Sequence, residues 1–153
     1  VDTQNKELWI YDEYYQRGML TDEIYQMYID KGLKNAEIIA DSAEKRLITE
    51  IKRKGISNIK PSVKGQGSIM QGVQFIQGFK IYVHPSCEHT IEELNTYTFD
   101  QDKDGNWLNK PIDENNHILD ALRYSLEKFH FPRNNKTNVN IKKNISRAKA
   151  MGL

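Results

Sequence analysis

Three residues of this 153-residue sequence stand where side chains commonly carry chemistry. Asp41 ends a short apolar run, residues 37–41, which is typical of a buried strand with its acid at the C-terminal end, where α/β folds place ligands. Asp120 lies within the segment HILDALRY, in the first turns of a predicted helix. His117 precedes it by three residues, so these two side chains share one face of that helix.

Two carboxylates that come together from separate elements repel each other, and a hard divalent cation removes that repulsion. Two such ions can activate water and stabilise the leaving oxygen in phosphodiester cleavage. Spacing alone leaves simpler interpretations open. Asp120 also fits an acid on a helix surface, Asp41 also fits the cap of the following helix, and His117 also fits a solvent-facing residue at a helix start.

Several classes of protein are excluded because the residues that they require are missing. There is no GxxxxGK[ST] loop, so the chain encodes no P-loop ATPase, and GQGS at residues 65–68 lacks the full dinucleotide fingerprint. The single cysteine, Cys87, excludes a disulfide scaffold and a cysteine-rich zinc site, and it suits a reducing cytoplasm. No apolar run approaches the roughly 18 residues of a membrane span.

The net charge of +1 conceals two segments of opposite sign. Residues 132–153 hold six basic residues and no acid, which leaves 16 basic against 21 acidic residues in positions 1–131. We therefore predict one acidic domain over residues 1–131 and a basic, flexible tail over residues 132–153. The tail suits a polyanion or an acidic partner protein, and it equally suits a solvated chain end. Val1 is not a start methionine, and we expect a fragment of a longer protein.

Strands and helices alternate after an opening hairpin turn at residues 2–6, which favours an α/β domain with a mixed sheet. Thr21 and Ser42 are the predicted N-caps of the first two helices, and Ile118, Leu122, Ser125 and Phe129 are the predicted core stripe of the last. The strands are predicted at residues 7–15, 37–41, 58–63 and 80–83, a hairpin at 98–108, and the helices at 21–32, 42–54, 68–79, 87–97 and from 113 or 115 to 131.

Four segments together resemble one protein family: IYDEYY at residues 10–15, IIADSAEKRLITEIKRKGI at 38–56, KPSVKGQGSIMQGVQFIQGFKIYVHPSC at 60–87 and NKPIDENNHILDALRYSLE at 109–127. The chain is similar to the C-terminal nuclease domain of the large terminase subunits of tailed double-stranded DNA bacteriophages. The resemblance covers nearly all of residues 7–130, and ADSAE and DENNHILDALRY are its most specific parts.

The resemblance implies a ribonuclease H-like mixed sheet flanked by helices, and an endonuclease that cuts concatemeric phage DNA with two Mg²⁺ or Mn²⁺ ions. Asp41 and Asp120 would be metal ligands. His117 would be either a ligand of the second ion or a proton-transfer group, and Glu44 would lie near the site. Lys60 and Lys64 are candidates for phosphate contact, although they also fit solvated lysines.

The sequence departs from the family in two respects. The motor ATPase half is absent, and part or all of the first strand, with its metal-binding aspartate, is predicted to be missing, which would leave the fragment weak in metal binding and cleavage. The resemblance implies double-stranded DNA, the terminase small subunit and the portal protein as partners, and the host cell cytoplasm as the location. The alternatives are a nuclease-impaired module that docks DNA or the portal, and a junction resolvase of the same fold.

Overall fold

The computed structural model describes residues 1–63, 65 and 67–130, apart from the Asn109 side chain. The predicted tail and Lys64 lie outside the described residues. Helices and strands alternate along the chain, in the order β1 (Glu7–Ile10), α1 (Thr21–Asp30), β2 (Ile38–Ala40), α2 (Lys45–Arg53), β3 (Ile59–Pro61), α3 (Ser68–Gln77), β4 (Lys80–Val83), α4 (Glu88–Thr96), β5 (Phe99–Gln101), β6 (Trp107–Pro111) and α5 (His117–His130). None of these helices is long and apolar enough to span a bilayer.

The strands form three ladders within the described residues. Strand β1 pairs in parallel with β4, and Leu8 lies opposite Ile81. Strand β2 pairs in parallel with β3, and Ile38 lies opposite Ile59. Strands β5 and β6 form an antiparallel hairpin. Both parallel and antiparallel pairing therefore occur, as expected of a mixed α/β domain, but in three separate ladders of the described residues.

The predicted opening turn is present, because Asp2 and Glu7 exchange two backbone hydrogen bonds of 2.8 and 2.9 Å in an antiparallel bridge. The Asp2 carboxylate holds the turn by accepting the N–H groups of Gln4 and Asn5. Regular pairing of β1 stops at Ile10, earlier than the predicted Tyr15. Beyond Ile10, the side chains of Asp12, Glu13 and Tyr15 contact Lys31, Thr90 and His89.

Two apolar clusters hold the elements together. One packs the inner face of α2 against the β2–β3 ladder through Ile48, Ile51, Ile56 and Ile59, all almost fully buried. The other joins β1, the turn between α3 and β4, and α5 through Leu8, Phe79 and Leu126. Burying a side chain of this size stabilises the fold by about 1.5–3 kcal/mol. Helix α2 therefore packs on the β2–β3 ladder, and α5 also lies against β2, the strand that Asp41 follows.

Two of the predicted helix caps are wrong. Thr21 is the first helical residue, and the backbone N–H of Leu20 instead donates to the Glu23 carboxylate at 2.7 Å. Helix α2 begins at Lys45 because Ser42 is held elsewhere: its N–H donates to Ser62 Oγ at 3.1 Å. A predicted N-cap hydroxyl loses its role when tertiary contacts already fix its backbone.

The predicted core stripe of α5 is right for Ile118 and Leu122, which are half-buried, and wrong for its other two residues. Ser125 and Phe129 are exposed, and the buried positions are Leu119, Arg123, Tyr124, Leu126 and Glu127. The buried face of α5 therefore includes polar side chains, and these form hydrogen bonds within the protein. Glu127 accepts the N–H of Val63 at 2.6 Å, and such a bond offsets the cost of burying a carboxylate.

Carboxylates from other elements hold the N-termini of two helices. Glu13, only 10% exposed, accepts the N–H groups of His89 and Thr90 at the start of α4. Burial by itself raises the pKa of Glu13, but the hydrogen bonds from Thr90 and His89 outweigh it and bring the pKa from 4.5 to about 2. Glu93, on α4, in turn accepts the N–H of Leu119 at 2.9 Å in the first turn of α5.

We predict that Glu13→Gln lowers the unfolding free energy at pH 7 by about 1–2 kcal/mol, the usual cost of losing a charged helix cap. The lowered pKa of Glu13 means that its stabilisation is complete above about pH 4.5 and is lost as the pH falls toward 2. The melting temperature of the variant should therefore fall less steeply between pH 5 and 3 than that of the parent chain. Circular dichroism melts across this range measure both effects.

Glu92→Gln is the matched control, because Glu92 is an exposed carboxylate on α4, the helix whose start Glu13 caps. The unfolding free energy of this variant should lie within about 0.5 kcal/mol of that of the parent chain. Equal acid sensitivity in the Glu13 and Glu92 variants would contradict the capping role of Glu13.

Candidate active site

Asp41 and Asp120 line the same cavity, which has a volume of about 570 Å³. Asp41 reaches it from the C-terminal end of β2, and its carboxylate accepts the N–H of Ala43 at 2.8 Å. Asp120 reaches it from the first turn of α5, whose start is fixed by Glu93. The remaining walls come from the chain just before and within α3, from Tyr97 after α4, and from the end of β6 with the segment that follows it.

Three further charged residues line this cavity that the sequence did not single out as site residues. Asp113 follows β6 and adds a third carboxylate, while Lys110 and Arg123 add the cations. Arg123 lies one helical turn beyond Asp120, so the i,i+3 spacing was a usable indication. Lys110 lies in β6 and Asp113 in the connection that follows it. Their place depends on the β5–β6 hairpin, and no local pattern indicated it.

The Asp120 carboxylate is held on both oxygens. The Arg123 guanidinium donates to Oδ1 at 2.8 Å, and the Tyr124 hydroxyl donates to Oδ2 at 3.3 Å. Asp120 remains 31% exposed, whereas the Arg123 side chain is 8% exposed. Burial by itself lowers the pKa of Arg123, but the hydrogen bond and charge of Asp120 outweigh it and raise that pKa. The Arg123 guanidinium is therefore charged at neutral pH.

His117, the predicted third member of the site, lies outside the lining of this cavity. Its exposed ring is tilted against Tyr15, with 6.3 Å between the ring centroids. Tyr15 also stacks on His89 at 4.3 Å. The shared first turn keeps His117 close to Asp120 along the chain, but its ring contacts the segment that follows β1. Glu44 is exposed at the start of α2 and is also outside the lining.

Lys60 is placed away from the cavity, in the middle of β3. Its ammonium lies 2.8 Å from Glu37, whose other carboxylate oxygen lies 2.7 Å from Lys128. The hydrogen bonds from Lys128 and then Lys60 lower the pKa of Glu37 to about 2. Phosphate contact by Lys60 stays a prediction, and the lysine would have to leave Glu37 to make it.

The oxygen donors around the cavity fit a hard divalent cation such as Mg²⁺ or Mn²⁺. Among residues 1–63, 65 and 67–130, no three His, Cys, Asp or Glu side chains form a group that could hold a metal ion. Ions of this class commonly take one or two carboxylates and complete their coordination with water and substrate phosphates. Asp41 and Asp120 are the residues that would hold such an ion here.

The family model of the terminase RNase H-like domain matches residues 1–128. The chain belongs to this terminase family. It is 34% identical over 131 residues to the PBSX phage terminase large subunit of Bacillus subtilis (strain 168), covering 84% of this chain and 30% of that protein. It is 29% identical over 133 residues to the terminase large subunit of Bacillus phage SPP1, covering 78% of this chain and 32% of that protein. The chain thus spans about a third of the length of these relatives.

Solved structures agree with this assignment. The nuclease domain of the SPP1 large terminase, crystallised with bound Mn, superposes with a TM-score of 0.78 at 25% identity, covering 84% of this chain and 74% of that one. The large terminase of a thermophilic bacteriophage matches at a TM-score of 0.57 and 23% identity, covering 74% of this chain and 30% of that one. This match supports the fold alone. The ribonuclease H-like fold class that the sequence predicts is confirmed.

Helix α3 of this terminase domain approaches α5 closely because Gly72 has no side chain. A Cβ atom at Gly72 would lie 2.6 Å from Cδ of Arg123. Gly72 is buried in the middle of the helix, where glycine costs about 1 kcal/mol relative to alanine. The glycine is therefore explained by the space that Arg123 occupies.

We predict that Gly72→Ala lowers the unfolding free energy by about 1–3 kcal/mol, because overpacking against Arg123 outweighs the gain in helix propensity. Urea unfolding measures the difference. Gln74→Ala, at an exposed position of the same helix, should stay within about 0.5 kcal/mol of the parent chain. A Gly72→Ala variant as stable as the parent would show that Arg123 moves aside at no cost.

Proposed function

We propose that this terminase domain is a metal-dependent DNA endonuclease that cuts concatemeric phage DNA by a two-metal-ion mechanism. The observation that carries the proposal is that Asp41 and Asp120, far apart in the sequence, line one cavity. The family assignment and the Mn-bound nuclease domain of SPP1 support it. When bound, Mg²⁺ or Mn²⁺ supplies an activated water and neutralises charge on the leaving oxygen.

Different residues of this chain are proposed to bind the metal ions, contact the DNA phosphate and transfer the proton. Asp41 and Asp120 hold the ions, and the fixed ends of β2 and α5 keep the two carboxylates in place. Lys110 is exposed at the cavity wall and forms no ion pair with any carboxylate among the described residues, so it is available to a DNA phosphate. His117, near Asp120 in the first turn of α5, is proposed as a proton-transfer group or second-ion ligand.

The packaging partners follow from the same assignment. Double-stranded DNA is the proposed substrate, the terminase small subunit and the portal protein are proposed assembly partners, and the host cell cytoplasm is the proposed location. We further propose that residues 132–153, outside the described structure, act as a basic tail that contacts one of these partners.

We predict that Asp41→Asn and Asp120→Asn each reduce Mn²⁺-dependent nicking of supercoiled plasmid by about 100-fold or more, because metal stabilisation of the transition state is worth several kcal/mol. Conversion to relaxed circles on agarose gels measures the rate, with EDTA as the blank. Asp104→Asn is the matched control, since Asp104 lies in the β5–β6 turn outside the cavity lining. It should nick like the parent chain.

Unchanged nicking in either cavity variant would refute the site. Electron paramagnetic resonance of free Mn²⁺ adds a second measurement in case the chain cuts poorly. Mn²⁺ binding that depends on Asp41 and Asp120 but produces no cleavage would favour the nuclease-impaired docking module. A strong preference for branched over linear DNA would favour the junction resolvase.

We also predict that Lys110→Gln weakens binding of a linear DNA duplex more than Lys60→Gln does, because only Lys110 lies at the cavity wall without an acidic partner. Binding is measured in EDTA, so that no cleavage occurs. Loss of one phosphate contact should reduce the slope of log K against log salt concentration by about 0.9. Equal slopes for the parent and the Lys110 variant would contradict this contact.

A further inference from the structure

Arg123 is an unusual residue for its position, because a long cationic side chain is buried on the inner side of α5. It is 8% exposed, and its guanidinium reaches Oδ1 of Asp120 at 2.8 Å. A buried charge is costly unless it is paired and hydrogen-bonded. The pairing is therefore strong enough to tie the orientation of Asp120 to that of Arg123.

The arginine is itself fixed on two sides. Gly72 of α3 leaves the space that its Cγ and Cδ atoms occupy, since a Cβ there would overlap them. The guanidinium also stacks near the Tyr124 ring, with its central carbon 4.7 Å from the ring centroid. A side chain held along its stem and over its planar head loses little further entropy when it binds a carboxylate. Arg123 is thus a rigid support rather than a mobile surface cation.

The two oxygens of Asp120 are held unequally. Oδ1 receives the short bond from Arg123, whereas Oδ2 receives the longer 3.3 Å bond from the Tyr124 hydroxyl. A cation can replace the weaker interaction more easily than the stronger one. Asp41 and Asp113 also line this cavity.

We propose that Arg123 is a positioning residue for the metal centre: it holds Oδ1 of Asp120 and leaves Oδ2 for the cation, and Gly72 is the position that makes room for it. This inference rests on the proposed function, since it assumes that Asp120 binds metal. Groups that orient metal ligands in this way typically change metal affinity or activity by about 10–100-fold when they are removed.

The test measures Mn²⁺ affinity by electron paramagnetic resonance without DNA, using the full 153-residue chain. Arg123→Met keeps an unbranched apolar stem but removes the guanidinium, and it should weaken Mn²⁺ binding by about 10–100-fold. Arg123→Lys keeps the charge without the planar fork and should fall between the parent and Arg123→Met. Arg46→Met is the matched control, because Arg46 pairs with Glu50 on the surface of α2, and it should leave the affinity unchanged.

Gly72→Ala tests the same support from the other side without altering any charge. It should weaken Mn²⁺ binding by displacing Arg123, and the Gly72→Ala/Arg123→Met double variant should bind no more weakly than Arg123→Met alone. Such non-additivity is expected when two residues act through one contact. A purely structural role for Gly72 would lower stability but leave the Mn²⁺ affinity of the folded chain unchanged.

Three outcomes would overturn the proposal: unchanged affinity in folded Arg123→Met, tighter binding in that variant, which would make Arg123 a competitor of the metal, or additive losses in the double variant. Circular dichroism establishes that each variant is folded. If Arg123→Met does not fold, Arg123→Lys and Gly72→Ala decide the question. Failure of the proposed function is distinguishable, because Asp41→Asn and Asp120→Asn would then leave Mn²⁺ binding unaffected as well.

Discussion

The start of helix α5 is fixed by a carboxylate from another helix, and the geometry of the cavity depends on this contact. Glu93 of α4 accepts the N–H of Leu119, one residue before Asp120. The start of α4 is held in the same way by Glu13, from the segment that follows β1. A carboxylate at a helix N-terminus accepts hydrogen bonds from the free N–H groups and interacts favourably with the positive end of the helix dipole. Asp120 is therefore positioned by contacts that begin far away in the sequence.

The other side of the cavity is fixed by backbone pairing. Strand β2 is held to β3 by its ladder, and the Ser62 N–H donates to the Ala40 carbonyl next to Asp41. Glu127 then ties α5 to the chain after β3 through Val63. The two elements that carry Asp41 and Asp120 are thus linked through β3 and the chain that follows it. This framework and the cations at the cavity wall oppose any repulsion between the two carboxylates.

Part of the site was predictable because its indications were local. Asp41 follows an apolar strand, Asp120 lies in the first turns of a predicted helix, and the resemblance to terminases assigned both a role. Position in the sequence did not show where the side chains of the other two predicted members point. His117 shares a turn with Asp120, yet its ring contacts Tyr15. Lys60 lies near the site in sequence order, yet it pairs with Glu37. In both cases a partner from a distant element decided where the side chain points.

The sequence by itself determined the order of strands and helices, the α/β class and two acidic residues at the ends of regular elements, because these follow from local hydrophobic periodicity and strand or helix boundaries. Only the tertiary structure decided which arc of α5 faces inward, and with it the roles of Arg123 and Gly72. Periodicity alone favoured an apolar arc through Phe129. Glu127 is buried because Val63, from a distant segment, donates to it, and Arg123 is buried because Gly72 of α3 leaves room for it beside Asp120. Val63 and Gly72 reach α5 only after distant segments have packed together.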